Sequence, residues 1–233
     1  MGQYKNLKEI AWQSNLELPK HDLVTYTFGN ASSLDRDKGV IAIKPSGLSY
    51  DDLKPEDMVI VDLENNIVEG NLNPSSDTKT HLVLYRNFPE IAGVVHTHST
   101  YAAAWSQAIK PITIFGTTQA DYLPMDIPCT KIISDEAIKG DYEEETGSQI
   151  LEVFKDISYK EVEMVLVACH GPFTWGKTPA KAVHNSVVLE ELAKMAMLTL
   201  QINPDTGILK KTIIDKHYQR KHGKDAYYGQ GEN

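Results

Sequence analysis

The sequence has little cysteine, no excess of basic charge and no long apolar run, and each shortage excludes a class of protein. Two cysteines, Cys129 and Cys169, occur in 233 residues, which is too few for a disulfide framework, so we expect both to be reduced. The net charge of −9 argues against nonspecific binding to nucleic acid or to an anionic membrane. No apolar run is long enough to span a bilayer, and polar residues interrupt the start of the chain, where a signal peptide would be apolar. These absences predict a cytoplasmic protein that binds neither nucleic acid nor membrane.

Linkers and internal repeats are missing as well. No stretch rich in proline, glycine or serine divides the chain, and hydrophobic residues make up 41% of it, enough for one substantial core. We therefore expect a single domain over residues 1–233.

Helical and strand patterns alternate along the chain. Short apolar runs rich in β-branched residues predict strands at 40–43, 58–62, 91–98 and 164–169. Apolar residues at three- and four-residue spacing predict helices near 7–11 and at 76–88, 100–108, 145–154 and 180–200. The pattern is typical of an α/β protein. It leaves the strand directions open, because buried antiparallel strands can be as apolar as parallel ones.

The strongest functional signal is a pair of histidines, His96 and His98, at the end of an apolar run. On a strand, residues two apart point to the same face. A third histidine, His170, ends another apolar run, and Asp77 opens a predicted helix upstream of the pair. Imidazole nitrogens and a carboxylate suit zinc and similar ions. These four residues predict a divalent metal centre.

Two members of this set have structural alternatives. Asp77 is also well placed to cap the helix that begins near Ser76, and His81 competes with it as the group that faces the metal. His96 and His98 could be hydrogen-bonded histidines at a strand end, but the third histidine favours ligation.

Several short segments are suited to binding a phosphate. Two serines precede a predicted helix, where hydroxyl groups, backbone N–H groups and the helix dipole favour an anion. A lysine adds positive charge, and a nearby turn and an asparagine add further donors. The candidates are Asn30, Lys44, Ser46, Gly47, Ser75 and Ser76. On the residues alone, an ordinary turn and an ordinary helix cap explain these segments equally well.

Ordered motifs along the chain carry a family resemblance. In chain order they are LPKHDLVT at 18–25, IKPSG at 43–47, PSSDT at 74–78, VHTHS at 95–99, GTTQADY at 116–122, HGPF at 170–173, AVHN at 182–185 and AYYGQ at 226–230. The chain resembles the L-ribulose-5-phosphate 4-epimerases of the class II aldolase and adducin head family over essentially its whole length. Gln119 departs from the pattern, because many of these epimerases have histidine there.

The resemblance implies a fold, a cofactor and an assembly. The fold is a single-domain, three-layer α/β/α arrangement with a central, largely antiparallel sheet. One Zn²⁺ per subunit is implied at Asp77, His96, His98 and His170, with Mn²⁺, Co²⁺ or Ni²⁺ as alternatives. The family also implies a homotetramer with sites between subunits, in which the tail from about 205 to 233 completes a neighbour's site.

The implied reaction is the metal-dependent epimerisation of L-ribulose 5-phosphate, a pentulose phosphate, to D-xylulose 5-phosphate. C4 is not adjacent to the C2 carbonyl, so cleavage of the C3–C4 bond, through an enediolate and glycolaldehyde phosphate, is more favourable than removing the C4 proton. Re-addition to the other face of the aldehyde needs two proton-transfer groups, and Asp121 and Tyr228 match that pair. The resemblance adds three substrate-binding residues, Thr117, His217 and Arg220.

Two other functions stay open. A class II sugar-phosphate aldolase of the fuculose-phosphate type would use the same metal and the same bond cleavage, but such aldolases typically carry glutamate at position 77, where this chain has aspartate. A binding module like the adducin head would lack the metal histidines, and here all three are present.

Overall fold

Strands and helices alternate through the part of the chain that the computed structural model describes, residues 2–224 and 226–227. The helices are α1 (Lys5–Lys20), α2 (Thr78–Asn87), α3 (Thr100–Ala108), α4 (Thr117–Ala120), α5 (Asp135–Lys139), α6 (Tyr142–Val153), α7 (Pro179–Ile202) and α8 (Lys211–His222). The strands are β1 (Asn30–Asp35), β2 (Val40–Ile43), β3 (Val59–Asp62), β4 (Ile67–Glu69), β5 (Gly93–His96), β6 (Met164–Leu166) and β7 (Pro172–Gly176). A short 3₁₀ helix spans Pro55–Asp57.

The strands form one sheet in the order β4-β3-β2-β1-β5-β7-β6. Each pair of neighbours in the described sheet is antiparallel. The expectation of a largely antiparallel sheet, which came from the family resemblance, is therefore confirmed.

The central strands of the sheet are buried on both sides, because helices cover both of its faces. In β2, Val40 and Ala42 share an apolar cluster with α1, whereas Ile41 and Ile43 share another with α2. Helix α7 packs beside α1 against β5 and β7, and α6 packs on α2. The result is the predicted three-layer α/β/α arrangement.

Most of the predicted elements are present, with shifted ends. The strand at 40–43 and the helix at 100–108 have the predicted bounds, but the strand predicted at 91–98 ends at His96. The helix predicted from 145 begins at Tyr142, because the Asp141 side chain accepts a hydrogen bond from Glu144 N at 3.4 Å and caps it. Strands β1, β4 and β7 were not predicted. Among the described helices, none has the length and hydropathy needed to cross a membrane.

Residues of the predicted metal and phosphate sites lie together at one end of the sheet. Asn30, the first residue of β1, lies opposite His96, the last residue of β5, and His96 lies opposite Phe173 on β7. Lys44 directly follows β2, and its carbonyl accepts a hydrogen bond from Ser75 N at 3.0 Å. Segments far apart in sequence therefore meet at this end of the sheet.

Candidate active site

Three histidines form a compact group at this end of the sheet. His96 is buried at the end of β5, His98 is exposed two residues later, and His170 lies half-buried in the turn between β6 and β7. One donor atom from each lies within 4.8 Å of the others. His96 Nε2 and His98 Nε2 are 3.0 Å apart. The predicted triad is thus brought together, although His98 follows the strand instead of lying on it.

The surroundings of His96 present its Nε2 atom to the site. Its Nδ1 lies 3.0 Å from the carbonyl oxygen of Pro172, which can only accept, so Nδ1 carries the proton and Nε2 offers a lone pair. The ring stacks on Phe173 with centroids 4.3 Å apart. Burial lowers the pKa of His96 to about 3, so the imidazole is neutral near pH 7. A neutral, oriented imidazole is the form that binds metal.

A tight turn presents His170. Cys169 has a positive φ of 62° and its N–H donates to Ser106 O at 2.9 Å, while His170 N donates to Val167 O at 3.1 Å. A Cβ on Gly171 would come within 2.6 Å of Thr97 O, so glycine allows the turn to approach the residue that follows β5 this closely. The turn places the imidazole beside His96, with ring centroids 4.7 Å apart.

The donor set fits a divalent cation. His170 Nδ1 is buried and has no hydrogen-bond partner among the described residues. Burial lowers the pKa of both His98 and His170, as it does for His96. Two ligands on one tetrahedral zinc lie about 3.3 Å apart, close to the separation of the first two histidines. Three neutral imidazole nitrogens that converge on one point suit a zinc-like ion, and His170 Nδ1, unpartnered among the described residues, is free to bind it.

Asp77 lies beside this group without belonging to it. It occupies the N-cap position of α2, but its side chain makes no capping hydrogen bond. Instead, its Oδ2 accepts from Asn30 Nδ2 at 2.7 Å. Burial acts to raise the pKa of Asp77, but nearby imidazoles and Asn30 outweigh it and lower the pKa. Asp77 therefore stays ionised, and its role as a metal ligand remains a prediction.

The competing residue, His81, is held elsewhere. Its Nδ1 lies 2.7 Å from Ser32 Oγ, and burial lowers its pKa to about 4. It is not part of the group formed by the three metal-site histidines.

A cavity of about 320 Å³ adjoins the histidines. All six predicted phosphate-binding residues line it, together with Asp77, His98 and His170. Gly29, which precedes Asn30, also lines it, and at its φ of +76° a Cβ would lie 2.7 Å from His96 O. Three of the four metal candidates therefore share one cavity with the phosphate candidates, and the fourth, His96, lies beside His98 and His170 in the histidine group.

Lys44 is the main positive charge of this cavity, and it is buried. Its ammonium has no carboxylate partner among the described residues; it makes a 3.4 Å contact with Pro45 O and lies 4.8 Å from the centroid of the Tyr50 ring. Burial lowers its pKa to about 8. A buried cation without an anion beside it favours the binding of an anionic ligand.

Three of the remaining predicted residues, Asp121, His217 and Arg220, form a second cluster outside the cavity lining. Asp121, which follows α4, accepts from His217 Nδ1 at 2.9 Å and from Arg220 Nε and Nη2 at 3.0 and 2.8 Å. Burial acts to raise the pKa of Asp121, but these hydrogen bonds outweigh it and lower the pKa. Thr117 is exposed at the start of α4. Tyr228 lies outside the described residues.

Comparison with known proteins assigns the family. The family model described as Class II Aldolase and Adducin N-terminal domain matches residues 11–197, a span that includes the three histidines and the residues lining their cavity. The chain belongs to the class II aldolase family.

Individual proteins are similar to nearly the whole chain. This class II aldolase chain is 48% identical over 226 residues to the L-ribulose-5-phosphate 4-epimerase UlaF of Salmonella paratyphi C (strain RKS4594), covering 97% of this chain and 99% of the relative. The protein of the same name from Salmonella choleraesuis (strain SC-B67) matches with the same values. Among solved structures, an L-fuculose 1-phosphate aldolase superposes with a TM-score of 0.77 at 23% identity, covering 92% of this chain and 95% of that one. That structural match supports the fold alone.

Gln119, the departure from the epimerase pattern, has a structural explanation in this class II aldolase chain. Its Oε1 accepts from the N–H groups of Phe115 and Gly116 at 2.7 and 3.2 Å, and its Nε2 donates to Thr113 O at 2.7 Å. The buried amide therefore fastens the loop that leads into α4 and Asp121.

Sequence reasoning missed the residues that orient the ligands. The Pro172 carbonyl and the Phe173 ring hold His96, and the Phe28 ring lies 6.0 Å from His98, centroid to centroid. The motif HGPF contains two of these residues. It was interpreted for its histidine alone, because a proline and a phenylalanine carry no chemistry that identifies them as supports.

Proposed function

We propose that this chain is an L-ribulose-5-phosphate 4-epimerase that converts L-ribulose 5-phosphate to D-xylulose 5-phosphate. The observation that carries the proposal is one cavity that is lined by two of the three convergent histidines, His98 and His170, and by a buried lysine with no carboxylate partner among the described residues. Curated relatives at 48% identity carry that name. Asp77, in place of the glutamate expected of the fuculose-phosphate aldolases, favours the epimerase over the aldolase.

His96, His98 and His170 would hold one divalent ion, for which we propose Zn²⁺, with Asp77 or a water completing its coordination. The ion, when bound, supplies a Lewis acid for the negative charge that develops on the substrate oxygens as the C3–C4 bond breaks. Asn30 orients Asp77 through the hydrogen bond to Oδ2.

The phosphate-binding group would anchor the part of the substrate that becomes the aldehyde. Lys44 supplies the charge, while Ser46, Ser75 and Ser76 supply hydroxyl groups around the same cavity. Because the phosphate remains bound after C3–C4 cleavage, glycolaldehyde phosphate stays in the cavity. It can then rotate and present its other face for re-addition.

Two proton-transfer groups are needed, since the C4 oxygen points in different directions before and after this rotation. We assign them to Asp121 and Tyr228. Arg220 and His217 keep Asp121 ionised, ready to accept a proton. The Asp121 cluster does not line the cavity of its own chain. We therefore propose that this cluster and the tail from about 205 to 233 complete a neighbour's site, in the homotetramer that the family resemblance implies.

The direct test is an assay of L-ribulose 5-phosphate conversion before and after chelation. We expect D-xylulose 5-phosphate to form, the activity to disappear with a chelator, and added Zn²⁺ to restore it. Metal-loaded protein that leaves the substrate unchanged would refute the proposal. Release of free dihydroxyacetone and glycolaldehyde phosphate would identify an aldolase instead.

Replacing Lys44 by methionine should raise KM for the sugar phosphate by about 10-fold to 100-fold. A hydrogen bond to a charged group contributes about 1.5–3 kcal/mol, and each 1.4 kcal/mol corresponds to about tenfold. Because burial lowers the pKa of Lys44 to about 8, the wild-type KM should rise with pH above that value, as the ammonium loses its proton. Steady-state kinetics across pH would show this rise in the wild type and not in Lys44→Met.

Lys8→Met is the matched control for this variant. Lys8 is also buried, but it pairs with Glu69 at 2.7 Å and does not line the cavity. Its KM should match that of the wild type. Equal KM values in Lys44→Met and Lys8→Met would remove Lys44 from the phosphate site.

A further inference from the structure

Helix α3 begins directly after the metal-site histidines and is not capped by its own residues. Its first residue, Thr100, comes two positions after His98. Ser99 occupies the N-cap position, but its side chain makes no capping hydrogen bond and accepts from Thr97 Oγ1 at 3.3 Å. The first N–H groups of a helix have no partner within the helix, so they need another acceptor.

Glu190, a residue of α7, supplies that acceptor. Its Oε1 accepts from Tyr101 N at 2.8 Å and its Oε2 accepts from Ala102 N at 2.9 Å. Both carboxylate oxygens are therefore engaged at the positive end of the α3 dipole, where a negative charge is favourable. One turn further along, Trp105 Nε1 donates to Ala193 O at 3.0 Å and ties the same two helices together.

These contacts fix both ends of the segment that carries His98. On one side the chain is held in the sheet as far as His96, and on the other it is held at Tyr101 by Glu190. Helix α7 packs against β5 and β7, the strands next to His96 and His170, so Glu190 links the segment to the same framework as the other two histidines.

His98 depends on this backbone more than His96 does. Its side chain is exposed, and among the described residues its imidazole hydrogen-bonds only to His96 Nε2. By contrast, His96 is held by Pro172 O and by the Phe173 ring. The Glu190 carboxylate also offsets the positive end of α3, which would otherwise disfavour a cation nearby.

We propose that Glu190 is a positioning residue that sets the placement of the metal ligand His98. The inference rests on the metal-dependent function proposed above. It assigns to one carboxylate, outside the cavity, part of the zinc affinity of the site. Groups that hydrogen-bond a metal ligand directly contribute about 10-fold to 100-fold to metal affinity; Glu190 acts through the backbone that follows His98, so its effect should lie at the lower end of that range.

The test measures zinc affinity by titrating the metal-depleted chain against a competing chromogenic chelator. Glu190→Ala should weaken zinc binding by about 10-fold, the lower end of the range for groups that support a metal ligand. Glu190→Gln keeps one acceptor oxygen, so its loss should be smaller. Thermal unfolding of the zinc-free variants would give the stability change separately.

Two variants on α7 or next to it serve as controls. Thr178→Ala removes another helix cap, the hydroxyl that accepts from Lys181 N at 3.1 Å, and should destabilise the chain without changing zinc affinity. Glu191→Ala removes an exposed neighbouring carboxylate and should change neither property.

The outcomes are distinguishable. Wild-type zinc affinity in Glu190→Ala, or an equal loss in Thr178→Ala, would overturn the role of Glu190. If Glu190→Ala does not fold, Glu190→Gln carries the test, and unchanged zinc affinity in that variant overturns the role. A wild-type chain that binds no zinc would refute the proposed metal site itself, and the role of Glu190 with it.

Discussion

Replacing His98 by alanine should abolish metal binding and leave the chain folded. The side chain is exposed and hydrogen-bonds to another histidine of the site, so its loss removes a ligand without opening the core. A Lewis-acid metal stabilises the transition state by several kcal/mol, so the rate of epimerisation should fall by about 10³-fold or more. Elemental analysis would measure the metal, and circular dichroism would report the fold.

His184→Ala is the control, since His184 is also exposed but lies on α7 outside the histidine group. It should retain metal and activity. Stoichiometric metal in purified His98→Ala would show that the three-histidine assignment is wrong.

Asp121→Asn should lower the rate of epimerisation by about 10²–10⁴-fold, the range typical of a lost acid–base group. Asparagine keeps the shape of the side chain but cannot take up a proton, and metal content should be unchanged. Tyr228→Phe should give a loss in the same range. Asp62→Asn is a suitable control, because Asp62 is another hydrogen-bonded carboxylate, at the end of β3 and outside both clusters. Near-normal turnover in both active-site variants would refute the proposal that Asp121 and Tyr228 transfer protons on opposite faces of the aldehyde.

Mixing variants tests where Asp121 acts. If its cluster completes a neighbour's site, subunits of His98→Ala and Asp121→Asn carry defects in different halves of each site. Dissociating both variants together and reassembling them at equal amounts should restore about one quarter of the sites. Mixed oligomers, verified by mass, that stay inactive would place Asp121 in its own subunit's site or outside any site.

Much of the candidate site could be predicted from the sequence, because the site residues lie next to helices and strands that the sequence predicts. His96 and His170 end apolar runs, Asp77 precedes a helix, and Lys44 follows a strand with the predicted bounds. Each of these boundaries depends on local patterns of burial and capping. The antiparallel sheet was expected from the family motifs, because periodicity does not reveal strand direction.

Other features depend on contacts that no local pattern encodes. The strand β7 is buried on both faces, but it begins with proline, ends with glycine and has a single β-branched residue, Thr174, so its sequence lacks the usual β-branched run. The pairing of Asp121 with Arg220 joins residues far apart in sequence. The support that Glu190 gives to α3 crosses between helices and leaves no motif beside His98.

The strands that position the two parts of the cavity pair over different distances along the chain. Strands β1 to β4 pair with their sequence neighbours and carry Asn30 and Lys44 at their ends, whereas β5 pairs with β1 and β7, which are distant along the chain. Local hairpins form with little loop-closure entropy, and distant pairings form more slowly. The phosphate-binding half should therefore take shape early in folding, and the histidine group should form last. An ion that binds so late would slow unfolding while leaving the folding rate almost unchanged.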